Sequence, residues 1–200
     1  MTTITGFWHA AARLSGKIDW SALVRNGPNG LATASPEQLH QAGIPKRYRE
    51  KLYHTEAISF DGEAIVIDDP QYPPPLRLLP YAPPVLFYIG EKNLLSRPCI
   101  SIVGARKCSQ QGKQLTRKMA HSLAKSGLVV VSGKAYGIDS AAHEASRGQT
   151  IAVLGQGLGN SHHGRRAKQI QSIIQEGGLV ISEFPPYQIA SKHTFPKRNR

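Results

Sequence analysis

The sequence predicts an α/β protein, a small helical module over residues 1–58 followed by a parallel-sheet domain over residues 59–200. Three observations predict it. From Cys99 onward, apolar runs of four or five residues alternate with longer stretches of helical period. That is the pattern of a parallel sheet covered on both faces. Each of the first three of these runs ends in a glycine-bearing loop, where open α/β sheets hold their ligands. The positive charge is gathered in the same region: residues 91–200 carry seventeen Lys/Arg against five Asp/Glu, whereas residues 1–90 carry eight of each.

Phe7, Ala11 and Leu14 recur at helical spacing, as do Trp20, Leu23 and Val24. Ser35-Pro36-Glu37 is a helix start, with a Ser cap, Pro at the first helical position and an acid beside it. Gly43-Ile44-Pro45 ends that helix, and a basic one is expected from Lys46 to Thr55. Strands follow at Ala64–Asp68 and Val85–Ile89. The prolines between Tyr72 and Pro84 predict an extended surface connector rather than a helix or a central strand. The regular region then reads as strand Cys99–Val103, a helix presenting Leu115, Met119 and Leu123 on one face, and strand Leu128–Val131. Helix Ile138–Arg147, strand Thr150–Leu154, helix Arg165–Glu176 and strand Leu179–Ser182 complete it.

A net charge of +12 confined to one region points to a polyanionic partner. Two cysteines, Cys99 and Cys108, form no disulfide framework, and Cys99 is expected in the core. The first residues do not form a signal peptide, and no apolar run is long enough to span a membrane, so a cytoplasmic chain without membrane partners is expected.

The first loop, Val103-Gly104-Ala105-Arg106-Lys107-Cys108-Ser109-Gln110, has the chemistry of a phosphate cradle. Gly104 admits close backbone approach, Arg106 and Lys107 bring charge, and Ser109 and Gln110 add neutral donors at a helix start. It fits neither the Walker pattern nor the dinucleotide pattern, and no cofactor is expected. In the second loop Ser132 and Gly133 expose backbone donors, Lys134 reaches for phosphate and Tyr136 offers a ring for base stacking. Asp139 is expected to cap the next helix beside a packed His143. The third loop, Gly155-Gln156-Gly157-Leu158-Gly159-Asn160, is a weak near-match to a dinucleotide fingerprint. His162 and His163 lack further ligands at metal-binding spacing, so no metal is expected.

Together these residues resemble the DNA processing protein A family, also called Smf or DprA. The resemblance is carried by Tyr72-Pro73, Val103-Gly104-Ala105-Arg106, Ser132-Gly133, Gly137-Ile138-Asp139 and Ala142-His143. It continues through Thr150–Leu158, Ile181-Ser182-Glu183, Pro185, Phe195-Pro196 and Arg198-Asn199-Arg200, covering about residues 62–200. It implies an extended Rossmann-like domain preceded by a small all-helical domain of the SAM or helix-hairpin-helix kind. It also implies a non-catalytic protein that binds single-stranded DNA and assists RecA loading in natural transformation and recombination. Arg106 is then a principal phosphate contact, and Arg198 and Asn199 join the DNA-binding set.

Lys134 stands where the family has Leu and Tyr136 where it has Arg or Lys, so a second basic contact is expected to be lost or moved by two positions. The family's Tyr-Pro after the third glycine loop is absent, with Ser161-His162-His163 in that stretch. Relatives continue beyond Arg200, and the expectation is a domain incomplete at that end, with much of the surface for self-association as a homodimer and for RecA missing. Two other readings compete. One is a phosphoribohydrolase-like enzyme of related fold, which needs a positioned carboxylate. Only Glu91, Asp139, Glu144, Glu176 and Glu183 follow residue 90, and the loops lack the Pro-Gly-Gly…Gly-Thr…Glu pattern of such enzymes. The other is a partner-binding remnant without DNA activity.

Overall fold

A strand, not a helix, starts the chain. The structure is a computed structural model that describes residues 2–26, 30–160 and 164–199. β1 (Thr2–Ile4) pairs antiparallel with β2 (Ile58–Phe60), and the hydroxyls of Thr3 and Ser59 lie 2.9 Å apart. This ribbon ties the two ends of the N-terminal module together, so the module is not purely helical as its sequence predicts.

Between the two strands run α1 (Gly6–Arg13), α2 (Trp20–Asn26), α3 (Pro36–Gln41) and α4 (Lys46–Tyr53). The α3 start is as expected and fuller. Ser35 accepts the Gln38 N–H, and the Gln38 side chain accepts the Ser35 N–H in return. Trp20, Leu39 and Leu52 are fully buried, and Phe7 lies edge-on to both Trp8 and Trp20.

The main sheet has six strands: β3 (Glu63–Val66), β4 (Val85–Gly90), β5 (Cys99–Ser101), β6 (Val129–Ser132), β7 (Thr150–Val153) and β8 (Leu179–Ser182). Their order is β3-β4-β8-β7-β6-β5. The four strands from β5 to β8 are parallel, as expected, while β3 and β4 join antiparallel, so the sheet is mixed. The proline-rich stretch is not merely extended. It contains α5 (Pro74–Arg77), whose prolines sit in a first turn that needs no amide donors. Tyr72 anchors it from below, fully buried with its hydroxyl donating to Pro83 O at 2.7 Å.

The crossover helices are α6 (Gln110–Lys125), α7 (Ile138–Ser146) and α8 (Gly164–Gln175). Because β5, β6, β7 and β8 succeed one another in a single direction, right-handed crossovers place all three on one face. α6 meets the sheet on the predicted face only in part: Leu123 packs against the cluster of Ala120, Val130 and Ala142, but Leu115 and Met119 stay outside. Thr116 and Ala120 are buried, while Leu115 and Met119 are 60% and 51% exposed. Small residues there let the helix lie close to the strands. Cys99 is likewise exposed, on the outermost strand, rather than in the core.

The hydrophobic core runs without a break from the N-terminal module into the sheet, with Phe60 edge-on to Phe87 at 5.5 Å. Among the described residues, no helix is long and apolar enough to cross a membrane.

Candidate nucleic-acid interface

Parallel strands end on the same side of the sheet, so the loops after β5, β6 and β7 share one rim with α9 (Thr194–Arg198). Two of these loops are joined by one carboxylate. Asp139 Oδ1 accepts the Gly104 N–H at 3.3 Å, and its Oδ2 accepts the Ala135 N–H at 3.2 Å. Asp139 is therefore a strap between loops and not the predicted cap of α7, whose N-cap position is Gly137 and which has no side-chain cap. The Ile138 N–H adds a bond to Ala105 O at 3.3 Å. Gly104 and Gly137 make this approach possible. A Cβ on Gly104 would meet the Ile138 side chain at 2.7 Å, and one on Gly137, at φ +86°, would collide with Ala105 O.

The first loop stands open, with Val103 through Lys107 exposed. Arg106 extends over the Phe195 ring, its guanidinium carbon 5.9 Å from the centroid. Phe195 in turn fills the space over Gly155. Lys107 and Gln110 are exposed beside it. Ser109 is exposed too, but its hydroxyl is engaged as the α6 cap, accepting the Gly112 N–H at 3.0 Å. The first turn of α6 leaves its leading amides pointing outward, where an anion is favoured.

The second loop is partly committed to the fold. Ser132 is buried and its hydroxyl donates to Ile102 O at 2.7 Å. Gly133 is covered by Arg198, whose guanidinium a Cβ there would strike. Lys134 takes a left-handed backbone, φ +60°, and its ammonium donates to Gln169 Oε1. Tyr136 is 58% exposed, a ring free to stack.

Arg198, expected among the DNA-binding residues, is engaged by the fold through one of its nitrogens. Its Nη1 donates to Gly133 O at 2.7 Å and to Val153 O at 2.8 Å, clasping the ends of β6 and β7. Burial draws its pKa down, the Asp139 carboxylate opposes this, and the neighbouring Arg106 charge adds to it. Asn199 is exposed at the end of α9, its N–H bonded to the carbonyls of Phe195 and Pro196.

The third glycine loop is closed to ligands. The Gly157 N–H donates to Gln188 O at 2.8 Å and the Gly159 N–H to Pro186 O at 2.7 Å. The prolines after β8 thus occupy the place a dinucleotide would need. Ser161, His162 and His163 lie outside the described residues, as does Arg200. Among the described residues no group of His, Cys, Asp or Glu is placed to hold a metal ion.

His143 is buried, with its Nδ1 2.7 Å from Thr150 Oγ1. Thr150 gives its own hydroxyl hydrogen to Val130 O, so His143 donates from Nδ1, and its Nε2 has no hydrogen-bond partner among the described residues. Burial first, and the Lys134 charge second, lower its pKa to about 4.

Sequence reasoning missed Asp139 as a strap, Phe195 as a support for Arg106, and Gln169 as the partner of Lys134. Each contact spans 35 or more residues, and no local spacing announces it.

Residues 63–200 match the family model described as DNA recombination-mediator protein A. The chain is 42% identical over 138 residues to the DNA processing protein DprA of Streptococcus pneumoniae, covering 68% of this chain and 48% of that protein. It is 36% identical over 183 residues to DprA of Bacillus subtilis, covering 85% of this chain and 60% of the relative. The chain spans about half the length of the curated relatives it matches. Among solved structures, DprA of S. pneumoniae superposes with a TM-score of 0.66 at 29% identity, over 99% of this chain and 74% of that one. The DNA processing protein A of Helicobacter pylori, studied for its single-stranded DNA binding mode, gives a TM-score of 0.60 at 31% identity, over 70% of this chain and 63% of that one.

Proposed function

The chain belongs to the DNA recombination-mediator protein A family, and from that premise we propose that its sheet domain binds single-stranded DNA without catalysis. The observation that carries the reading is the open loop from Gly104 to Gln110, held in place by Asp139, with Arg106 braced on Phe195. A phosphate would lie between the Arg106 guanidinium, the Lys107 ammonium and the outward amides at the start of α6. Tyr136 supplies a stacking surface across the rim, and Lys134 a second charge. Gly133 and Ser132 shape the second loop from within. Asn199 offers an exposed amide at the same rim, whereas Arg198 acts by holding the loops.

The carboxylate at this rim supports binding rather than hydrolysis. Both oxygens of Asp139 accept backbone N–H groups, and Glu183 is buried against Ser15. Neither is presented to a substrate as a general acid or base would be.

Titration of a fluorescent oligothymidylate against salt tests the reading. A site using about four phosphates gives a log–log slope of about −3. Absence of binding at low salt would overturn it.

The finer reading follows from the family: the bound strand is delivered to the RecA recombinase in recombination or transformation, by a single chain or a homodimer. RecA assembly on a coated single strand should accelerate when this chain is added. Sedimentation gives the oligomeric state.

A further inference from the structure

A cavity of about 340 Å³ lies between α7 and α8. Thr150 of β7 lines it, and β7 is flanked by β6 and β8, so the cavity is framed by the middle of the sheet and not by an edge. The ring of His143, 5% exposed, forms part of its wall. Nδ1 is spent on Thr150 Oγ1, and Nε2 has no hydrogen-bond partner among the described residues. A buried acceptor left in that state is costly. Because the His143 pKa is about 4, the ring is neutral near pH 7 and Nε2 holds a lone pair. The second torsion of a histidine side chain is soft, so a small turn presents Nε2 to an occupant of the cavity.

The rest of the lining is rich in acceptors. Ser140 gives its hydroxyl hydrogen to Ala135 O at 2.8 Å, and Ser172 gives its own to Glu176 Oε1 at 3.1 Å. Thr150 has likewise spent its hydrogen on Val130 O. These hydroxyls therefore turn only lone pairs toward an occupant. Two carboxylates, Glu144 and Glu176, line the cavity against one ammonium, that of Lys134, which donates to Gln169 Oε1. Arg117 shares Glu144 from outside the lining, at 2.9 Å.

The complement of such a lining is a positive group with several N–H donors and a short apolar tail, which Ile173 can cover. The volume stands at the small end of ligand sites, about 300–1,000 Å³, and so admits a molecule of few atoms. We infer that this cavity is a binding site for a small organic ammonium ion, whose N–H groups reach His143 Nε2 and the carboxylates of Glu144 and Glu176. The site is distinct from the oligonucleotide rim, with Lys134 the one lining residue common to both.

The test titrates n-propylammonium chloride into the full chain at constant ionic strength, with proton–nitrogen spectra of the histidine rings as the readout. The His143 Nε2 resonance moves saturably toward that of a bonded lone pair. Tetramethylammonium, which has the charge but no N–H, binds at least about tenfold more weakly, and so does n-propanol, which has a donor but no charge. Glu176→Gln removes a charge and Ser172→Trp fills the cavity, both at exposed positions that the fold tolerates. Each weakens n-propylammonium by about tenfold or more. A resonance that stays fixed overturns the proposal, whether the lone pair is unbonded throughout or already bonded to a buried water. So does equal binding of tetramethylammonium, or equal binding by the two variants.

Discussion

Ser15 donates its hydroxyl to Glu183 Oε2 at 2.8 Å, and both residues are buried. One comes from just after α1 and the other from just after β8, so a polar contact is sealed between the N-terminal module and the sheet domain. A buried carboxyl that loses a donor costs more than the bond contributes when made.

Ser15→Ala should therefore destabilise the chain by about 1–2 kcal/mol. The loss should be shared by both parts, because the core between them is continuous. Urea denaturation followed by tryptophan fluorescence reads the module, since Trp8 and Trp20 both lie there. Circular dichroism reads the whole chain. Two separated transitions in the wild-type protein would show that the contact does not couple them.

Asp139 bonds to the amides of Gly104 and Ala135, in two different loops. Asp139→Asn keeps the shape but replaces one accepting oxygen by an NH2 donor, which meets an N–H donor. The loops should part, and oligonucleotide affinity should fall by about tenfold, equivalent to ~1.4 kcal/mol. Binding titrations at fixed salt check this. An unchanged affinity would mean that the loop positions do not depend on the strap.

How much of this arrangement the sequence discloses depends on the range of each interaction. The strands from β4 to β8 are legible because their runs are apolar throughout, and α3 is legible because its cap residues are neighbours. The β1–β2 ribbon is not. Each strand has three residues, too few to display alternation, and the partner lies more than fifty positions away. The side of α6 that meets the sheet is misread at Leu115 and Met119, though not at Leu123, for another reason. Leu115 and Met119 outweigh Thr116 and Ala120 in hydrophobicity, yet close helix–sheet packing selects the smaller pair. In the rim, the exposed Arg106 loop was legible from composition. The bonds from Arg198 to two backbone carbonyls were not, because those carbonyls lie 65 and 45 residues earlier.

His143 gives a pH dependence. Its folded pKa, about 4, lies below the 6.5 of an exposed imidazole, mainly through burial and next through Lys134. Above pH 6.5 both folded and unfolded states hold a neutral ring, and it contributes no pH slope. As pH falls below 6.5 the unfolded state takes up a proton that the folded state refuses, so stability is lost down to about pH 4 and the loss then levels off. Between pH 7 and 4.5 the cost is about 2–3 kcal/mol. Urea melts of the wild type and His143→Gln at both pH values measure it by difference. Equal losses in the two proteins would place the acid sensitivity elsewhere.

Arg106 lies close enough to Arg198 for its charge to help lower the Arg198 pKa, yet the structure assigns the two opposite duties. Arg106 is exposed and touches the fold through the Phe195 ring face, whereas Arg198 donates to Gly133 O and Val153 O in a partly buried setting. Arg106→Ala should leave the melting temperature nearly unchanged and make the salt slope of oligonucleotide binding shallower by about 0.7, the share of one phosphate on a single strand. Arg198→Ala should do the reverse first. It strands two carbonyls at the ends of β6 and β7, costs about 2–3 kcal/mol of stability, and weakens binding only as the loops lose their positions. Arg198→Lys cannot span both carbonyls with a planar fork and should recover little. If Arg198→Ala instead changes the salt slope as Arg106→Ala does, with its stability intact, then its guanidinium leaves the carbonyls to meet phosphate when DNA binds.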